Sequence, residues 1–271
     1  MKEDLKKESQ PSCVGAVSRS TFYHGDCLVE MDKIADKSVD MILCDLPYGT
    51  TACKWDVIIP FDKLWEQYER IIKPNGAIVL FGSEPFSSYL RMSKIDLWKY
   101  DWIWDKVQPT GAFIAQKQPM KLHEIISVFY KRQCTYNRQM TDRPAKDLRP
   151  NQIATTKKLD KTEYEYLGGA KKLYSEDWDY TKVNPKTIIQ FQKSNERNKQ
   201  FKHPTQKPIA LMEYLIKTYS NEGETVLDNC MGSGTTGVAC KNLNRNFIGI
   251  EKDEAYFKIA EQRINARTLF S

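Results

Sequence analysis

Apolar residues along this chain fall into two rhythms. Short, nearly continuous runs recur at 39–44, 77–81, 125–130, 225–228 and 247–250, and runs of this length suit strands buried on both faces. Between them the spacing becomes helical. Phe61, Leu64, Trp65, Tyr68, Ile71 and Ile72 mark one amphipathic helix, which the breakers Lys73-Pro74-Asn75-Gly76 should stop. Further helices are predicted over 85–93, 208–219, 235–243 and 253–265, and shorter strands at Thr21-Phe22-Tyr23 and 102–104. Seven strands alternating with helices predict an α/β fold: a doubly wound, mostly parallel sheet.

Two stretches break the rhythm. Residues 1–20 are polar without a period and read as a flexible tail. From Lys131 to Lys202 no periodicity survives, which in a compact domain marks a functional insertion or a disordered segment. The expected organisation is therefore a tail at 1–20, a domain built from 21–130 and 203–271, and an insertion at 131–202. Charge singles out the same block: it holds 17 Lys and Arg against 9 Asp and Glu, an excess of +8, so the rest of the chain carries −2 of the total +6. It also contains Tyr136, Tyr164, Tyr166, Tyr174, Trp178, Tyr180 and Phe191. Cations that neutralise phosphates, mixed with rings that stack on bases, predict a nucleic-acid surface.

Composition excludes several classes. No apolar run is long enough to span a bilayer, and the charged start from Met1 to Gln10 lacks the apolar stretch of a signal peptide, so a cytoplasmic location is expected. The seven cysteines are scattered without paired CxxC spacing, which argues against a disulfide framework and a zinc site. Cys44 and Cys240 sit in apolar patterns as packing residues. His123-Glu124 lacks the second histidine of a zinc helix, and no metal is expected.

Candidate chemistry lies at two places far apart in the chain. The strand at 225–228 ends in Asp228, and Asn229-Cys230-Met231-Gly232-Ser233-Gly234 then turns into a helix beginning at Thr235. Glycines in such a turn let backbone N–H groups approach a ligand at a helix N-terminus. Glu251 closes the next strand, where a carboxylate can accept hydrogen bonds from ribose hydroxyls. This is the pattern of a nucleoside site. Gly232 to Gly237 also fits GxGxxG, which keeps a dinucleotide-binding oxidoreductase in contention. Only 34 residues follow Gly237, too few for the rest of such a fold, so upstream strands should complete the sheet.

The other place is Asp45-Leu46-Pro47-Tyr48, directly after the strand at 39–44. An exocyclic base amine is a poor nucleophile because its lone pair is delocalised into the ring. Two acceptors on its N–H groups favour a pyramidal nitrogen and stabilise the charge that develops during attack. Asp45 can supply one and the Leu46 carbonyl the other, since Pro47 fixes its own φ and restricts the residue before it. Tyr48 offers a ring to stack on a base taken out of its helix. A plain surface turn would use the same residue types.

These segments resemble the amino-methylating, S-adenosylmethionine-dependent DNA methyltransferases of the permuted beta group, adenine N6 type. In that family the catalytic motif precedes the cofactor motif, as Asp45 to Tyr48 precedes Asp228 to Gly234 here. His203-Pro204-Thr205-Gln206-Lys207-Pro208 and Gly25-Asp26 are similar to two further family segments, in the family's order. The resemblance implies a circularly permuted, Rossmann-like methyltransferase fold in which the basic insertion reads the DNA sequence. It implies catalysis by Asp45, Leu46, Pro47 and Tyr48. The cofactor S-adenosylmethionine would be held by Asp26, Asp45, Lys207, Asp228, Gly232, Ser233, Gly234, Thr235 and Glu251.

Double-stranded DNA is the implied partner, with a homodimer and a cognate restriction endonuclease as further candidates. Leu46 stands where the family usually has a first proline, but the acceptor there is a main-chain oxygen that Leu also provides. An acidic first residue is similar to adenine-specific members, whereas cytosine N4 enzymes more often carry Ser. Cytosine N4 methylation and a non-catalytic DNA-binding relative stay open. Cytosine C5 methylation does not fit, because none of the seven cysteines follows a proline.

Overall fold

The computed structural model describes residues 18–50, 56–144, 181–192 and 206–266. They divide into two compact units, Met1–Tyr136 with Ile188–Ser271, and Asn137–Thr187. Residues 1–17, His203-Pro204-Thr205 and the aromatics Tyr164, Tyr166, Tyr174, Trp178 and Tyr180 lie outside the described residues.

In the first part of the chain, β1 (Ser20–His24), α1 (Cys27–Met31), β2 (Val39–Cys44), α2 (Phe61–Ile71), β3 (Ile72–Gly82) and α3 (Phe86–Ser93) alternate. A long hairpin of β4 (Trp98–Thr110) and β5 (Lys121–Phe129) comes next. The smaller unit contributes β6 (Thr141–Asp142) and β7 (Lys182–Val183), paired antiparallel with Thr141 opposite Val183. The chain then runs through β8 (Ile188–Gln190), α4 (Ile209–Tyr219), β9 (Thr225–Asp228), α5 (Thr235–Asn242), β10 (Asn246–Glu251) and α6 (Glu254–Asn265).

The main sheet has eight strands in the order β1-β10-β9-β2-β3-β5-β4-β8. Pairing is parallel everywhere except where β5 runs against β3 and β4. This is the doubly wound, Rossmann-like sheet expected, with β8 as one strand more than the seven anticipated. Three residues inside an otherwise aperiodic block are too few to show a period. Their pairing with Ile103–Asp105 draws residues 188–192 into the main unit. Phe191, expected on a nucleic-acid surface, is instead part of that closure: its carbonyl accepts from Trp104 Nε1 at 2.8 Å and its ring packs on Tyr214. Tyr136 packs its ring on Tyr219.

The apolar runs are continuous because both sheet faces are covered. Along β2, Met41 and Leu43 enter the core under α4, α5 and α6, while Ile42 and Cys44 enter the core under α1, α2 and α3. Along β3, Ala77, Val79 and Phe81 alternate in the same way with Ile78 and Leu80. Each such aliphatic side chain contributes about 1.5–3 kcal/mol by leaving water. The polar interruption in β2 is also explained, since Asp40 accepts from Thr225 N at 3.0 Å and from Lys73 Nζ at 2.6 Å, tying two neighbouring strands together.

Helix α2 ends at Ile71 as predicted, but Lys73-Pro74-Asn75-Gly76 continues as extended chain at the start of β3 rather than turning. A register shift between Val39 and Met41 accommodates it, and Pro74 needs no ladder partner for the N–H it lacks. Among the described residues, no helix is long and apolar enough to cross a membrane.

Candidate active site

Seven of the eight strands, all but β5, run in one direction and so end on one edge of the sheet. In doubly wound sheets a ligand crevice opens at the carboxyl ends of the strands, where the strand order reverses. Here that point lies between β9 and β2: from β9 the order continues through β10 to β1, and from β2 it proceeds the other way through β3. The two candidate segments lead out of these two strands. A cavity of about 670 Å³ opens there, lined by Asp26, Asp45, Leu46, Pro47, Tyr48, Lys207, Asp228, Gly232, Ser233, Thr235 and Glu251.

At the glycine turn, carboxylates brace the backbone. Asp228 accepts from Cys230 N at 3.1 Å and from the Thr236 hydroxyl, and burial pushes its pKa up to about 6. Glu251 accepts from Gly232 N at 2.8 Å through one oxygen and from Asp253 N at 2.8 Å through the other. Burial raises the Glu251 pKa as well. The Lys252 N–H is also directed at this carboxylate, which with two acceptor sites per oxygen still leaves capacity for a sugar hydroxyl. Gly232 adopts φ 51°, which favours glycine, and nothing would crowd a Cβ there. Asp26 caps α1 through Leu28 N at 3.1 Å and meets Lys252 at 3.2 Å. Ser233 Oγ accepts from Arg263 at 2.9 Å.

At the other wall, Asp45 is held by side chains from elsewhere. Tyr48 donates its hydroxyl to Oδ1 at 2.5 Å, and Lys207 places Nζ 2.5 Å from Oδ2. Lys207 also lies 3.3 Å from Glu124, which in turn lies 3.6 Å from Lys106. Two carboxylates and two ammonium groups thus form a neutral chain. Burial alone would lower the Lys207 pKa, but Asp45 and Glu124 outweigh it and hold the ammonium above the ordinary lysine value. Burial would likewise raise Glu124, and Lys207 and Lys106 reverse that.

A sequence model of DNA methylases matches residues 39–262, which include both segments and the strands that carry them. The chain belongs to the DNA methylase family. It is 31% identical over 249 residues to the type II methyltransferase M.HpaI of Haemophilus parainfluenzae, covering 87% of this chain and 71% of that protein. It is 29% identical to the DNA adenine methyltransferase YhdJ of Escherichia coli strain K12, over 93% of this chain and 84% of YhdJ. Among solved structures it superposes on the M1.HpyAVI-SAM complex with a TM-score of 0.59 at 28% identity, over 91% of this chain and 100% of that one.

Within this methylase two expected site residues, Gly234 and Tyr48, are placed differently from expectation. Gly234 does not line the cavity: it sits at φ 79°, and a Cβ would come within 2.9 Å of Ala260, so this glycine lets α5 pack on α6. Lys207, expected with Asp45 among the residues that hold the cofactor, lines the same cavity and pairs with Asp45. Tyr48 was expected to present a free ring, yet it is half-buried, with that ring 4.9 Å from Phe86 and its hydroxyl committed to Asp45.

Three contributors were missed. Asp56, nearly buried, accepts from Gly49 N at 2.8 Å and Thr50 N at 2.9 Å and so fixes the turn after Tyr48. Tyr68 donates to Asn229 Oδ1 at 2.6 Å, anchoring the glycine turn to α2. Glu124 completes the ion chain. Asp56 had a signal, being a carboxylate shortly after a glycine turn; Glu124 had none, because nothing local ties β5 to position 45.

Proposed function

We propose that this methylase transfers a methyl group from S-adenosylmethionine to the exocyclic N6 amine of adenine in double-stranded DNA. One observation carries the reading: the Asp45 turn and the Asp228–Thr235 turn, separated by most of the chain, open on a single cavity. Glu251 has acceptor capacity left for ribose hydroxyls, and the glycine turn leaves room for close approach, which fits a nucleoside cofactor. When bound, that cofactor supplies an electrophilic methyl on a sulfonium. Asp45 and the Leu46 carbonyl would accept the two N–H groups of the target amine; the new N–C bond would form as the sulfonium S–C bond breaks to leave a neutral thioether, and the proton shed by the amine would pass along its hydrogen bond to Asp45 and from there to solvent.

Lys207 and Tyr48 keep Asp45 oriented until the amine arrives. The similarity to YhdJ supports adenine as the base. Sequence reading by residues 131–202, a homodimer, a cognate restriction endonuclease and a cytoplasmic location, where a DNA substrate would be met, belong to the same proposal.

The test is label transfer from tritiated S-adenosylmethionine to duplex DNA, followed by nucleoside mass spectrometry. N6-methyl-2′-deoxyadenosine formed by the wild type and lost by at least about 10³-fold in Asp45→Ala is expected. N4-methylcytosine instead would overturn the choice of base, and no transfer by folded, cofactor-binding protein would overturn the activity.

A further inference from the structure

We propose that the hairpin joining β4 to β5 is a DNA wedge, with Phe113 entering the base stack where the target adenine leaves it. The inference rests on the proposed activity and goes beyond it, because neither the fold nor the cavity requires the hairpin tip. Phe113 is 104% exposed, the most exposed large apolar side chain among those described. Left in water, a phenyl ring forgoes the stabilisation that burial would give it. Its position is built: Gly111 at φ 92° starts a short 3-10 turn from Ala112 to Ile114 that carries the ring at the tip.

The aim of the hairpin is also built. Asp105 pairs with His123 and Thr110 with Lys121, so the β4 arm holds several more residues than the β5 arm across that bulge. Val107 within it takes φ 67°, a conformation that a β-branched residue adopts only when its surroundings impose it, and Asp105 Oδ1 holds the Val107 N–H at 2.8 Å. A bulge bends its strand and re-aims the residues beyond it. The arms are rooted in the active site, since Lys106 and Thr110 of β4 and Glu124 of β5 line the cavity. Phe113 lies three residues beyond Thr110, within about 10 Å of the cavity rim along the chain.

Charge selects the occupant. From Val107 to His123 the hairpin carries Lys117 and Lys121 and no carboxylate, and Val107, Met120 and Leu122 add exposed apolar surface. An apolar tip flanked by cations suits a polyanion with a stacked interior. An enzyme that acts on a duplex base must extrude it, and a ring inserted between base steps offsets part of the lost stacking.

The experiment compares wild type, Phe113→Ala and Phe113→Trp on duplex oligonucleotides carrying a site mapped by methylation sequencing, either fully paired or with the target adenine mismatched. Phe113→Ala should lose about 10- to 100-fold in kcat/KM on the paired duplex, where the wedge offsets unstacking. It should stay within about threefold of wild type on the mismatched one, where the base is already loosened. Phe113→Trp should retain activity on both. Equal losses on the two duplexes, or none, would overturn the wedge, as would a change from dimer to monomer in Phe113→Ala with paired-site transfer intact.

A second arm needs no methyl transfer. The emission of Phe113→Trp, less that of wild type with its six tryptophans, should be quenched by saturating duplex DNA, and unchanged emission would overturn the wedge. Absence of transfer by the wild type on every duplex would sink the proposed activity alone, because this fluorescence still decides the wedge.

Discussion

The two walls of the cavity are held together in opposite ways. At the glycine turn, Asp228 and Glu251 accept mainly from backbone N–H groups within their own and adjoining turns. At the amine wall, Asp45 is clamped by the side chain of Tyr48 and by an ammonium that reaches it from position 207. The first wall is a shape set by local chain geometry, ready for a ligand. The second is a balance of buried charges that, in the proposed reaction, the target amine must enter. The nucleoside part of the cofactor is the same before and after transfer, whereas in the proposed reaction the amine changes charge, and the make-up of each wall matches that difference.

The comparison breaks most visibly at Lys207. Lys207→Met leaves Asp45 without its cation and Glu124 with Lys106 alone, which costs about 3–5 kcal/mol when one partner of a buried pair is removed. Denaturant unfolding should show that loss, with Lys207→Met/Glu124→Gln recovering part of it. Equal stability of single and double variants would refute the charge balance.

Next comes the pH response of the glycine wall. The Asp228 pKa is raised to about 6 from 3.8, so between these values the folded state holds a proton that the unfolded state has released. Stability from this group is therefore present at low pH and lost as pH rises through about 6. Relative to Asp228→Asn, the wild type should gain up to about 3 kcal/mol on going from pH 7 to pH 4. Parallel stability curves for the two proteins would show that Asp228 does not titrate there.

Smaller effects sharpen the contrast. Glu251→Ala removes an acceptor from the cofactor wall and should weaken S-adenosylhomocysteine binding by about 10- to 100-fold in calorimetry, as loss of a charged hydrogen bond implies. Asp45→Ala should leave that affinity nearly unchanged. Asp56→Ala frees the Gly49 and Thr50 amides and should lower kcat by about tenfold with the cofactor affinity kept. A loss of affinity in Asp56→Ala would mean that the two walls are not separable.

Legibility followed the same division. Strands β2 and β9 were readable to the residue, because a buried parallel strand is a continuous apolar run with turn residues at its end. The caps of α1 and α6 by Asp26 and Asp253 are equally local, each accepting from N–H groups just ahead of it, but α1, only five residues long, was not anticipated. Strand β8 and the full length of the β4–β5 hairpin were not, since their pairing lies far away in sequence and their exposed residues carry no period. Gly234 was read as a ligand contact because a helix-packing glycine and a cofactor glycine look alike until Ala260 is placed beside it.

The sequence by itself determined the alternation of strands and helices, the glycine turn, the acidic strand ends and the Asp45-Leu46-Pro47-Tyr48 turn proposed to be catalytic, all of which depend on neighbours a few residues apart. Only the tertiary structure decided that Lys207 and Glu124 meet at Asp45, that Tyr48 is engaged before any base arrives, and that both walls face one cavity. Those facts depend on which strand ends share an edge of the sheet, and contacts between distant segments are fixed by packing of the whole core rather than by any local pattern.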